Sequence, residues 1–224
     1  MFFMVSSLIF AEDKPLEEYF YFPHEYQNWN TKFIVGASLS KLPTEVVEEE
    51  INSAPILNFA FRMGLPGQIS TIFELNTNYF TNYFSLAFQH SFLNKNMSLA
   101  GGVKFAGWFG HPQLSFTNVK ATGMILSPYI STGYDFGDFV LSATIDVESY
   151  YIYNSSEGNR LGEWFKPLSG FGLKFSLEQP LWKNHWVNLG MKLNFSKFYY
   201  QSWLSFTTID EFLVYPEFSL GFVL

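Results

Sequence analysis

From residue 31 onward the chain alternates large apolar residues with small or polar ones almost without a break, and this period of two most constrains its fold. Phe33, Val35, Ala37 and Leu39 alternate with Gly36, Ser38 and Ser40. Leu57, Phe59, Phe61 and Met63 alternate with Asn58, Ala60, Arg62 and Gly64, and the chain ends on Phe218, Leu220, Phe222 and Leu224 in the same rhythm. Successive side chains of a strand point to opposite faces, so each such segment carries one uniformly apolar face. No run after the N-terminus approaches the roughly eighteen apolar residues of a membrane-spanning helix.

The solvent that each face meets follows from composition. Charged residues are 15% of the chain, against the roughly 25% of ordinary soluble domains, while aromatic residues reach 21%. The non-apolar face is Gly, Ser, Ala and Asn with isolated charges of both signs, which suits a confined lumen better than open water. The segments run about ten to fourteen residues, longer than the usual five or six of globular sheets and sufficient for a tilted membrane strand. An open sheet edge in lipid leaves backbone groups unsatisfied, so the sheet must close. The expected fold is all-β: a closed antiparallel up-and-down transmembrane β-barrel over residues 31–224.

Ten strands are expected, at 31–41, 55–65, 68–79, 83–92, 97–109, 123–136, 139–152, 168–178, 186–199 and 212–224. The short connection near 80–82, where a long loop belongs, leaves eight or twelve strands open. Short turns alternate with long polar loops at 42–54, 110–122, 153–167 and 200–211. Barrels of this kind have short periplasmic turns and longer outer loops, which puts both termini in the periplasm. Trp108, Phe109, Tyr150, Tyr151, Tyr153, Tyr199, Tyr200 and Trp203 read as an outer aromatic girdle, and Phe136, Phe139, Trp182 and Trp186 as an inner one. Residues 1–11, MFFMVSSLIFA, read as the core of a signal peptide; its missing basic region leaves room for a start upstream. Residues 12–30, acidic and then dense in Tyr, Phe and Trp, read as a periplasmic segment or as a plug inside the lumen.

The closing strand Phe218-Ser-Leu-Gly-Phe-Val-Leu224 resembles the C-terminal assembly signature of bacterial outer-membrane barrels, with Phe218, Leu220, Phe222 and Leu224 at every second position. Leu224 stands where that family ends on Phe. The resemblance covers about residues 31–224 and suits barrels of the OmpX or OmpW sort and the ten-stranded omptin-like ones equally. It implies a Gram-negative outer membrane, with membrane lipids, lipopolysaccharide and the barrel-assembly machinery as partners.

Candidate functional groups are the inward charges Arg62, Glu74, Lys104, Asp146, Glu148, Lys174, Glu178, Lys192 and Glu217. Spacing pairs Lys174 with Asp146 and Glu148, and Lys192 with Glu217. Opposite charges in a narrow interior pair because an unpaired buried charge is costly, so the network could simply close the lumen. The inward Gly36, Ser38, Gly64, Gly102, Gly170, Gly172, Gly190 and Gly221 leave space, and space favours a narrow porin-like channel for small polar solutes. The alternative is a closed barrel that acts through its loops, as an adhesin or an envelope-stabilising protein. An outer-membrane hydrolase ranks below both: no His-x-Ser pair occurs, and only His111, paired with Asp210 from another loop, offers a dyad. The chain is therefore read as no enzyme.

The formal charge of −7 argues against a nucleic-acid binder, which needs a basic footprint. Without Cys there is neither a disulfide frame nor a thiolate site. Glu45 and Glu48 to Glu50 in the first outer loop could hold divalent cations with lipopolysaccharide phosphates, but no metal-ligand spacing or cofactor fingerprint is present. Neither a metal nor a cofactor is expected.

Overall fold

The computed structural model describes residues 19–45, 53–78, 80–94, 96–110, 119–156, 159–182, 185–201 and 211–224. Residues 1–11, expected as the core of a signal peptide, and Glu48 to Glu50, His111, Tyr79, Trp203 and Asp210 lie outside these residues. Ten strands follow one another: β1 Thr31–Lys41, β2 Ser53–Leu65, β3 Ile69–Thr77, β4 Thr81–Asn94, β5 Met97–Gly110, β6 Val119–Asp135, β7 Val140–Ser156, β8 Asn159–Trp182, β9 His185–Ser196 and β10 Leu213–Val223. Each pairs antiparallel with its sequence neighbours, and β1 pairs with β10 through Ile34–Val223 to Ser40–Glu217, which closes the barrel. No helix among the described residues is long and apolar enough to cross a membrane; crossing here falls to strands.

The outer wall is apolar and the inner wall polar. Phe59, Phe73, Phe105, Met124, Ile130, Ile145, Phe171, Leu189 and Phe218 are large and exposed on the outside. Ser38, Ser85, Ser127, Ser142, Ser176 and Asn188 are buried inside. A soluble protein rarely exposes so continuous an apolar band, whereas a bilayer requires it, so this is a transmembrane barrel.

The turns at one end are set by local chemistry. At Pro66-Gly67-Gln68 both Gly67 (φ 84°) and Gln68 (φ 61°) enter the left-handed region. At the β6–β7 hairpin of the same end Gly137 takes φ 89°, its amide donates to Asp135 Oδ1 at 2.7 Å, and the Phe136 amide donates to the Phe139 carbonyl at 3.0 Å.

At the opposite end the strands overrun their expected limits. The segment 153–167, expected as a long loop, is mostly ladder: β7 and β8 stay paired from Tyr150–Lys166 out to Ser156–Asn159. The run Tyr150-Tyr-Ile-Tyr153 is rich in β-branched and aromatic residues, and it extends the hairpin where charge and loop composition suggested an end. Similarly β6 begins at Val119, shortening the loop expected over 110–122. Conversely β9 stops at Ser196, and Phe198, Tyr199 and Tyr200 turn inward instead of continuing to the rim.

Prolines and bulges mark one weak seam. Pro128 faces outward within β6, and the β6–β7 ladder is interrupted between Leu126–Ser149 and Tyr129–Asp146, with the register unchanged. Pro has no N–H to give a ladder. On the other side of β7 the register shifts between Glu148 and Tyr150, and Ser169 fills the irregularity, its Oγ accepting from the Tyr150 amide at 3.3 Å.

Candidate functional site: a charged chamber between two aromatic closures

Residues 19–30 precede the barrel and lie within its turn-side mouth. Tyr19, Phe20, Phe22 and Tyr26 are buried there, the first three packed with Ile34, Ala60, Ile72, Ala87, Val140, Trp186 and Val223. The Tyr19 and Trp186 rings meet edge to face at 4.6 Å. Two inward groups hold the segment by its backbone. The Arg62 guanidinium donates to the Phe20, Phe22 and His24 carbonyls at 2.6, 2.8 and 2.9 Å, reaches Ser70 Oγ at 3.3 Å, and lies 4.2 Å from the centre of the Tyr26 ring. Glu178 Oε1, from β8, accepts the Phe20 and Tyr21 amides at 3.1 and 3.0 Å. Carbonyls two residues apart share one side of an extended chain, so a single guanidinium can collect three of them.

Small residues make the approach possible. A Cβ on Gly64 would lie 2.1 Å from the Gln27 carbonyl oxygen, and one on Gly133 would lie 2.6 Å from the Phe22 ring. At Gly64 the segment makes a short parallel bridge with Asn28, the Trp29 amide donating to the Gly64 carbonyl at 2.9 Å. Trp29 itself takes φ 68° and stays exposed. Burial and the neighbouring Arg62 charge hold the His24 imidazole well below its ordinary pKa, so it stays neutral.

The loop-side end is closed by a second cluster: Tyr83, Trp108, Tyr150, Phe198, Tyr199, Tyr200 and Tyr215. Tyr83 and Tyr200 stack at 4.7 Å, Trp108 and Phe198 at 5.6 Å. Trp108, Tyr150, Trp186, Tyr199 and Tyr200 were expected in the lipid-facing girdles; they face the lumen. Phe109, Tyr151, Phe136 and Trp182 do stand exposed on the outside.

Between the closures lies a chamber of about 170 Å³ lined by Glu74, Lys104, Asp146, Glu148, Lys174, Lys192 and Glu217, with Asn58, Asn76, Gln89 and Asn188. The expected charge pairings are redrawn. Lys192 stands opposite Glu217 in the β9–β10 register, yet its ammonium goes to Glu148 at 3.4 Å and Asp146 at 3.8 Å on β7. It crosses β8 over Gly172, where a Cβ would lie 2.6 Å from Asp146 Oδ1 and 2.8 Å from Lys192 Cε. Glu217 accepts the Tyr199 hydroxyl at 2.7 Å instead, and Glu148 accepts that of Tyr150 at 3.0 Å. Lys174, expected beside Asp146 and Glu148, lies 3.5 Å over the centre of the Tyr21 ring. Glu74 accepts from Ser85 Oγ at 3.3 Å. Arg62 and Glu178 leave the charge network altogether for the N-terminal segment.

The inward glycines are thus largely occupied space: Tyr129 lies across Gly102, and Gly36 and Gly221 let β1 and β10 approach each other. Among the residues put forward from sequence, Phe218, Leu220, Phe222 and Leu224 face outward and are exposed. His90 also faces outward, His24 sits in the mouth, and no group of three metal-ligating side chains occurs among the described residues.

No family model matches the sequence, and no curated protein does. Solved structures with a similar course of strands include the attachment invasion locus protein of Yersinia pestis (11% identity, 88% of this chain and 100% of that one, TM-score 0.43). Neisserial surface protein A is similar at 13% identity, over 87% and 96% of the two chains, with a TM-score of 0.40. The outer-membrane protease OmpT of Escherichia coli is similar at 12% identity, over 88% and 94%, with a TM-score of 0.44. At that level the likenesses carry no argument about activity.

Proposed function

We propose that the protein is a non-enzymatic barrel of a Gram-negative-type outer membrane, a narrow gated passage for small polar solutes that is shut in the state described. Both termini face the periplasm on this reading, and the long connections face outward, against lipopolysaccharide. The observation that carries it is the chamber. A purely structural interior would fill its space and pair its charges, whereas here charges of both signs surround an unfilled cavity in line with both mouths. The depth of the two aromatic closures favours the second reading, a sealed barrel that works through its outer loops.

Single-channel recording of the full chain in a planar bilayer separates the two. Gated passage gives discrete steps with long closed intervals, more frequent with Arg62→Ala and Tyr200→Ala combined, and with ion selectivity changed by Lys104→Met, Lys174→Met or Lys192→Met. A folded barrel that stays silent even with both closures loosened excludes passage and leaves the sealed barrel.

A further inference from the structure

The charges of the chamber form a belt. Where barrel strands tilt about 35–45° to the axis, residues at one height shift by about one position per strand, here toward the turn side from β2 to β10. From Glu74 on β3 the ladder runs through Ser85 to Ala106, and Lys104 stands two positions to the turn side of Ala106. From Gly102, two positions further on, it runs through Tyr129 to Asp146 on β7. Asp146 pairs with Gly172, and Lys174 again stands two positions to the turn side. Lys192 and then Glu217 follow directly opposite. These six groups therefore circle the lumen near one height, and their signs alternate except at the Lys174–Lys192 pair.

Part of the belt is satisfied by the protein itself. Lys192 has Glu148 and Asp146 Oδ1, Lys174 has the Tyr21 ring, and Glu217 has the Tyr199 hydroxyl. Lys104 has no ion pair among the described residues. Asp146 Oδ2 has no partner, on a side chain more than nine-tenths buried, and Asn58 Oδ1, diagonal to Glu74 in the ladder, has none either. Lys104 is thus the open donor, with open acceptors on both sides of it. An anion at Lys104 meets a carboxylate on either flank, and a cation at Glu74 or Asp146 meets the ammonium between them, each at the cost of a like charge in a confined interior. A hydroxyl accepts from an ammonium and donates to a carboxylate or amide oxygen, so it suits every open position.

Shape narrows the class. Tyr21 lines the chamber on the turn side, and Tyr83, stacked on Tyr200, lines it on the loop side. The chamber of about 170 Å³ holds roughly six waters at ~30 Å³ each, space for one small ring and not for a chain of them. Glu74 and Lys104, like Lys104 and Asp146, stand two strands and two residues apart, roughly 12 Å along the wall, and their side chains converge toward the axis. We infer that the chamber binds one uncharged monosaccharide in its ring form, its hydroxyls accepting from Lys104 and donating to Asp146 Oδ2, Glu74 and Asn58 Oδ1. Such a ring carries hydroxyls around its edge and C–H groups on its faces, which matches a polar belt between aromatic surfaces. The inference names the solute of the proposed passage and rests on that reading for the route of entry.

The test is equilibrium dialysis of the full chain, refolded from urea into detergent micelles with radiolabelled D-glucose, D-galactose or D-mannose present, so that binding needs no route into a closed barrel. Saturable retention of at least one of the three is expected, at least tenfold tighter than that of the anionic D-glucuronate or the cationic D-glucosamine, and weakened at least tenfold by Lys104→Met and by Asp146→Asn. No saturable retention of any of the three means that water alone satisfies the belt, and overturns the inference; equal or tighter retention of a charged analogue does the same. Where a variant fails to fold, as judged by heat-modifiable mobility, the wild-type ranking of neutral against charged sugars decides. Passage is read separately, by swelling of vesicles that carry the protein in the retained sugar. Retention without swelling refutes the passage and leaves the site, and ion conductance without retention refutes the solute class alone.

Discussion

Replacing Arg62 by Ala should free the N-terminal segment while leaving the barrel closed. The guanidinium is fully buried and donates to the Phe20, Phe22 and His24 carbonyls, none of which belongs to the barrel ladder. A hydrogen bond to a charged group contributes about 1.5–3 kcal/mol, and a buried carbonyl left unpaired costs about 1–3 kcal/mol. Water entering the vacated space recovers part of this, and the removed charge no longer needs desolvating. A net loss of about 3–5 kcal/mol in docking remains, at about 1.4 kcal/mol per tenfold some two to three and a half decades in the opening equilibrium. Hydrogen exchange reads it directly, because the Phe20 and Tyr21 amides are protected by Glu178 on the opposite wall. Those two amides should exchange about a hundredfold faster or more in Arg62→Ala, while amides of the β1–β10 seam, such as Ala37 and Leu220, stay within about threefold of wild type. Unchanged exchange at Phe20 and Tyr21 would mean that aromatic packing alone holds the segment, and would refute the role given to Arg62.

Gly172→Ala places a Cβ between Asp146 and Lys192 and should cost about 1–3 kcal/mol in urea unfolding from lipid vesicles; an unchanged midpoint would mean that Lys192 reaches β7 by another route. Gly133→Ala thrusts a methyl against the Phe22 ring and should speed proteolysis of the segment at Tyr19 to Tyr26 without opening the barrel. Ile145→Lys, on the outer band, should lower stability in bilayers by about 2–4 kcal/mol if it lies near the midplane, an effect absent if this face never meets lipid. The depressed His24 pKa also has a pH signature. The docked imidazole stays neutral where the free one, near 6.5, would take a proton. The undocked state therefore binds more protons, so docking is strongest above about pH 6.5 and weakens as pH falls below it. Exchange at Phe20, corrected for intrinsic rate, should rise between about pH 6.5 and 5 in the wild type, and rise less in His24→Gln.

Much of this architecture is legible because period two is a local property. The parity that sends Lys104 inward also sends Ala106 and Trp108 inward, and that of Asp146 and Glu148 carries Tyr150 with it. Reading Trp108, Tyr150 and Trp186 as girdle residues gave ring chemistry precedence over parity, and parity was the better guide. Other features had no local signal. Lys192 reaches past its register partner because Gly172, on another strand, leaves a path. The inward turn of Phe198 to Tyr200 depends on Tyr83 and Trp108, ninety or more positions earlier in the chain. The grip of Arg62 and Glu178 on residues 20–24 is likewise a meeting of distant segments; its one sequence trace is glycine at 64 and 133, where the segment comes too close for a side chain.

The proposed passage of small solutes through the shut chamber is directly testable, because the sequence has no Cys. Ser219 lines the chamber, so Ser219→Cys in the full chain, reconstituted in vesicles, can be titrated with thiol reagents of two sizes. Slow but complete reaction with a small ethylammonium methanethiosulfonate, with a bulky maleimide–polyethylene glycol excluded, is the predicted result. Immediate reaction with both reagents would show an open pore, and no reaction with the small reagent over hours would show a sealed interior; either contradicts the account.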